Sequence, residues 1–121
     1  RIRYNITETE AVSNEAYQLL KDRKYRESEA RYREVLQRIE DPSLVAREGL
    51  APEQLRRLRT VSHYNLACLY SLQNDADRGI EELKLALESG YSNFTHIRED
   101  SDLVAVRNHP GFEDLMAQFK K

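Results

Sequence analysis

The chain reads as an all-α protein assembled from helical hairpins, and three observations predict this. Apolar residues recur at helical spacing through residues 60–90, in two runs parted by the polar turn Gln73-Asn74-Asp75. The same order of small and large side chains recurs upstream: Ala16, Leu19, Ser28, Tyr32 and Val35 stand 51 residues before Ala67, Tyr70, Gly79, Leu83 and Ala86. Finally, the 3 prolines and 4 glycines fall near expected helix ends or turns.

Taken in order, residues 1–6 form a lead-in, and Thr7-Glu8-Thr9-Glu10 is a capping box opening a helix to about Asp22. A turn at Arg23-Lys24 leads to a second helix, Tyr25 to about Glu40, with the stripe Tyr25, Tyr32, Val35, Leu36 and Ile39. Asp41-Pro42 ends it and starts a short helix that Gly49 closes. Pro52 opens a long helix to about Leu72, carrying Leu66, Leu69 and Tyr70 on one face. Asp75 caps the next helix, whose Ile80, Leu83, Ala86 and Leu87 share a face until Gly90. Ser92 or Asn93 then caps a short helix, and the acidic Glu99-Asp100-Ser101-Asp102 caps a further turn. After the break at Asn108-His109-Pro110-Gly111, Phe112, Leu115, Met116 and Phe119 mark a last amphipathic helix.

The small and large residues at 67, 70, 79, 83 and 86, matched at 16, 19, 28, 32 and 35, resemble the tetratricopeptide repeat (TPR), a helix-turn-helix unit of about 34 residues. The resemblance implies a TPR-like solenoid of two repeats, about 9–42 and 60–92, separated by an inserted helical segment, 43–59, and closed by capping helices over 93–121. Two repeats leave an apolar face open. Phe94, Ile97, Leu103, Phe112, Leu115 and Phe119 are expected to cover it.

Composition bounds the function. With 121 residues, 40% apolar and 33% charged, the chain is one domain or part of one, and opening on Arg1 it reads as a piece of a longer protein. A net charge of -2 and a pI near 6.0 leave no nucleic-acid footprint. No apolar run reaches the length of a membrane span. The single cysteine excludes an internal disulfide framework and suits an intracellular, reducing compartment.

No catalytic, cofactor or metal constellation emerges. Phosphate-loop, H-E-x-x-H and G-x-S-x-G patterns are absent, and His63, His96 and His109 sit far apart at unrelated helix phases. Cys68 reads as a quiet, partly buried thiol, and the acidic segment lacks calcium-loop spacing. The sequons at Asn5 and Asn93 are discounted beside one cysteine and no signal segment.

The expected activity is therefore protein recognition without catalysis. TPR resemblance places the partner groove on the first helix of each hairpin, here Glu10, Ser13, Tyr17, Leu20 and Lys21, then Val61, Tyr64, Cys68, Ser71 and Leu72. Tyr17 and Tyr64 are either interface anchors or packing residues. Arg56, Arg57 and Arg59 are either a solvated face or a docking ridge for an acidic partner. Asn65 matches one residue of the carboxylate clamp that TPR proteins use for Hsp70- or Hsp90-type chaperones, but Ser13 and Tyr17 replace two others, which argues against such a clamp.

The tail adds a narrower resemblance. Gly90-Tyr91, Phe94, Ile97-Arg98, Asp100, Asp102-Leu103, Arg107, Phe112, Leu115 and Gln118-Phe119 are similar in spacing to the TPR region of plant and algal thylakoid proteins that join a PDZ domain to TPRs. It implies a peripheral factor for photosystem II assembly or repair, binding core subunits on the stromal side of the chloroplast thylakoid. A TPR scaffold or adaptor in a cytosolic or bacterial regulator, or an accessory domain of an enzyme, is the alternative.

Overall fold

A computed structural model describes residues 6–120, and every regular element among them is helical. Asn5 and all but Ile6 of the expected lead-in lie outside the described residues. The elements are α1 (Glu8–Lys21), α2 (Tyr25–Ile39), α3 (Pro42–Glu48), α4 (Pro52–Leu72), α5 (Ala76–Glu88), α6 (Phe94–Glu99), a 3-10 turn (Ser101–Leu103), α7 (Val104–Arg107) and α8 (Phe112–Phe119). The chain forms two compact units that divide within α4, one ending at Ser62 and one starting at His63.

In the first unit the capping box closes as its sequence predicts. The Glu10 amide donates to Thr7 Oγ1 at 3.1 Å, and the Thr7 amide donates to Glu10 Oε1 at 3.0 Å. The α1–α2 turn uses no glycine: Arg23 takes φ 63°, and the Lys24 amide returns to the Leu19 carbonyl at 2.9 Å. Ala16 and Ser28 are small because the helices touch there, the Ser28 hydroxyl donating to the Ala16 carbonyl at 2.7 Å. Asp41 caps α3 by accepting from the Ser43 and Leu44 amides at 3.0 and 3.3 Å. Gly49, at φ 68°, ends α3 and lets the Leu50 amide reach the Val45 carbonyl at 3.1 Å. Leu50 and Leu58 then join Val35 and Ile39 in one apolar cluster flanked by Val12, Leu36, Val45 and Leu55. Residues 43–59 are thereby packed onto the α1–α2 hairpin.

In the second unit Asp75 caps α5 by accepting from the Arg78 amide at 3.2 Å, and Gly90, at φ 114°, follows its end. Gly79 departs from the expectation that every glycine marks an end or turn, since it lies inside α5. A Cβ there would stand 3.4 Å from the Ala67 carbonyl oxygen of α4 and 2.5 Å from Val106 Cγ2 of α7. Close approach, not a turn, is what demands glycine. Tyr64, Ala67 and Cys68 of α4 share a core with Leu83, Ala86 and Leu87 of α5, and the tail adds Ile97, Leu103, Val106, Phe112, Leu115 and Met116. Phe94 and Phe119 pack partly buried against this core. Asn93, rather than Ser92, caps α6, accepting from the His96 amide at 3.0 Å. Asp100 caps the 3-10 turn through the Asp102 amide at 2.9 Å.

Candidate functional site

The first unit holds a surface cleft of about 260 Å³ lined by Ile6, by Glu10, Ser13 and Asn14 of α1, and by Arg57, Leu58 and Val61 of α4. Its polar side is set by the capping box. Glu10 Oε1 accepts from both the amide and hydroxyl of Thr7, while Oε2 faces Gln54 Nε2 at 3.5 Å and Arg57 at 3.6 Å. The Thr7 amide bond, against a smaller opposing effect of burial, holds the Glu10 carboxyl below the usual carboxylate range, so it is ionised at neutral pH. Its apolar side is Leu58 on the floor with Val61 and Ile6 exposed above it. Tyr17, one turn along α1, is exposed with the Lys21 ammonium 5.6 Å over its ring.

Behind α1 lies an ion-pair network that the sequence pattern did not reveal. Arg38 Nε donates to Thr9 Oγ1 at 2.8 Å and its Nη2 to Glu48 Oε2 at 2.5 Å, while the Thr9 amide donates to Glu48 Oε1 at 3.1 Å. It joins α1, α2 and α3. Burial pushes the Glu48 carboxyl up, but the bonds from Thr9 and Arg38 outweigh it and the net shift is downward. One signal was available: Arg38 stands three residues after Val35, on the inward stripe of α2.

The expected groove residues separate by exposure. Tyr17, Lys21, Val61 and Leu72 are exposed and Asn65 is half-buried, whereas Leu20, Tyr64, Cys68 and Ser71 are buried and present no open surface to a partner. The tail accounts for two of these burials. Tyr64 stacks on Tyr91 with ring centroids 4.6 Å apart and on His96 at 5.7 Å, and its hydroxyl donates to Asp100 Oδ2 at 2.5 Å. The Cys68 thiol points at the same carboxylate oxygen, 3.9 Å away. Burial first, and the Asp100 carboxylate second, push both the Tyr64 hydroxyl and the Cys68 thiol well above their ordinary values. Arg107 completes the arrangement by donating to the Ile97 and Asp100 carbonyls at 2.8 and 2.5 Å.

The arginine ridge is also divided. Arg56 pairs with Glu53 on its own helix at 2.7 Å, Arg57 turns to the cleft, and Arg59 is half-buried.

Each histidine meets a carboxylate: His63 with Glu82 at 2.8 Å, His96 with Asp100 at 3.3 Å, and His109 with Asp77 at 2.8 Å. The Gly111 amide donates to His109 Nδ1, which places that ring's proton on Nε2, facing Asp77. Among the described residues no group of three His, Cys, Asp or Glu side chains could hold a metal ion, and no helix is long and apolar enough to cross a membrane.

Fold and site together define an all-helical protein with a half-apolar surface cleft and buried polar groups that are engaged in packing. Over 89 residues the chain is 38% identical to a chloroplastic protein of Arabidopsis thaliana, an overlap that takes in 74% of this chain. It spans about a quarter of that relative's length, 24%. No protein-family model matches the chain, and no solved structure matches it.

Proposed function

We propose that the chain is a non-catalytic protein–protein interaction module of the TPR type, serving as a peripheral assembly or repair factor for photosystem II on the stromal side of the thylakoid. The observation that carries the recognition reading is the cleft with its exposed rim, where Ile6, Val61 and the neighbouring Tyr17 keep large apolar side chains in water. Such a surface is worth maintaining when a partner covers it. The TPR reading is supported by the recurrence of small residues at the hairpin contacts, Ser28 on Ala16 and Gly79 on Ala67. Similarity to a chloroplast protein supports the compartment. The tail spacing that resembles PDZ–TPR thylakoid proteins supports photosystem II as the target, with Tyr91, Ile97, Asp100, Leu103, Arg107 and Phe112 of that spacing all engaged in closing the second unit. Burial that raises the Cys68 thiol supports reading it as a packing residue and not a nucleophile.

The test is capture by the immobilised protein from detergent-solubilised thylakoids and from a soluble extract, read by mass spectrometry. Photosystem II core subunits are expected from the thylakoids, and a Tyr17→Ala, Val61→Asp variant is expected to lose them. Recovery of soluble regulators alone would end the photosystem assignment.

A further inference from the structure

We infer that the cleft between α1 and the start of α4 receives a peptide segment in which an aliphatic or aromatic side chain adjoins an acidic side chain; this deepens the partner-binding reading above and rests on it. The size points to a side-chain anchor, since about 260 Å³ lies below the roughly 300–1,000 Å³ of small-molecule pockets. The apolar wall is in place before binding, with Leu58 buried at its base and Val61 and Ile6 37% and 55% exposed. Covering those carbons is favourable in proportion to the area removed from water.

Charge selects what sits beside the anchor. Glu10 is already committed: Thr7 donates to it twice, and its carboxyl is held ionised. Arg57 is not committed to the same degree, because its separation from Glu10 is 3.6 Å and its side chain is 63% exposed. A guanidinium presents its donors as a planar fork that matches a carboxylate, and such pairs are shorter and stronger than neutral hydrogen bonds. Arg57 is the more exposed charge of the pair, 63% against 22% for Glu10, so an incoming cation would meet it first, whereas an incoming carboxylate would share it with Glu10. Asn14 supplies an exposed amide on the same rim. Arg57 and Leu58 lie within residues 43–59, and the rest of the lining comes from outside that stretch.

The experiment is an array of N-acetylated, C-amidated decapeptides, each with one Leu or Phe flanked either by Asp and Glu or by Asn and Gln. The strongest binder and its amide counterpart are then titrated by fluorescence anisotropy. Acidic peptides are expected to bind about tenfold tighter than their counterparts, the scale of one charge-assisted contact. Arg57→Gln is expected to erase that preference while sparing the amide peptide, and Val61→Asp to weaken both. Arg57 and Val61 are exposed, so both variants are expected to melt as the wild type does. Absence of binding on the array, equal binding of the two series, or a preference that survives Arg57→Gln would overturn the cleft proposal. Peptide binding insensitive to both substitutions would remove the cleft and leave the recognition module standing. Failure of thylakoid capture by the unaltered protein would instead strike the broader reading.

Discussion

Ser62 and Ser71 bury their hydroxyl oxygens without a hydrogen-bond partner among the described residues. A buried, unmatched hydroxyl costs more than a methyl group of similar size. Ser62→Ala is therefore expected to leave stability unchanged or raise it by up to about 1 kcal/mol in urea unfolding. Glu48 behaves in the opposite way, because its carboxylate is held by Thr9 and Arg38. Its folded-state pKa is lowered, so its contribution is complete above the unfolded carboxylate range and is lost as pH falls through the folded value. Glu48→Ala is expected to cost about 2–3 kcal/mol at neutral pH, and to flatten the loss of stability that the wild type shows on acidification. At this scale the sequence was legible in its caps, Thr7, Asp75, Asn93 and Asp100, because a cap acts within three residues. It was not legible in Arg38 or Glu82, charged residues on inward stripes whose partners come from other helices.

Two glycines separate backbone geometry from packing at the scale of the element. Gly49 has φ 68° with nothing within 4 Å of an added Cβ, so Gly49→Ala meets only left-handed strain, about 1–2 kcal/mol. Gly79 is an ordinary helical residue, and there alanine gains about 1 kcal/mol of propensity. The added carbon, however, would drive into Val106, a stiff β-branched side chain with no exposed surface. Gly79→Ala is expected to be destabilising by about 1–2 kcal/mol net, and Val106→Ala in the same chain is expected to restore part of the overpacking loss. Comparing the denaturation midpoints of the two single variants and the double variant tests this. The repeat pattern had already placed small residues at 16, 28, 67 and 79, and contacts at those positions give the pattern its physical cause.

Helical fold class and element order were readable through the described residues, since hydrophobic period, caps and Pro/Gly placement agree except at Gly79. The burial of the expected partner residues was not. Tyr64 lies on the face that the repeat pattern assigns to a groove, yet Asp100, 36 residues later, takes its hydroxyl, and Tyr91 covers its ring. A periodic pattern marks which residues share a face and is silent about which later segment folds over it. Of the expected groove residues, Tyr17, Lys21, Val61 and Leu72 stay exposed, and in the first unit Val61 and Arg57 line the cleft.

The proposed role requires the cleft and rim of the first unit to bind photosystem II core subunits. Its most direct test is titration of purified photosystem II core complex against the immobilised protein, wild type beside Val61→Asp, by biolayer interferometry. Saturable binding by the wild type that the substitution weakens tenfold or more is the expected result, about 1.4 kcal/mol of lost interaction. Absence of saturable binding, or equal binding by both proteins, would contradict it.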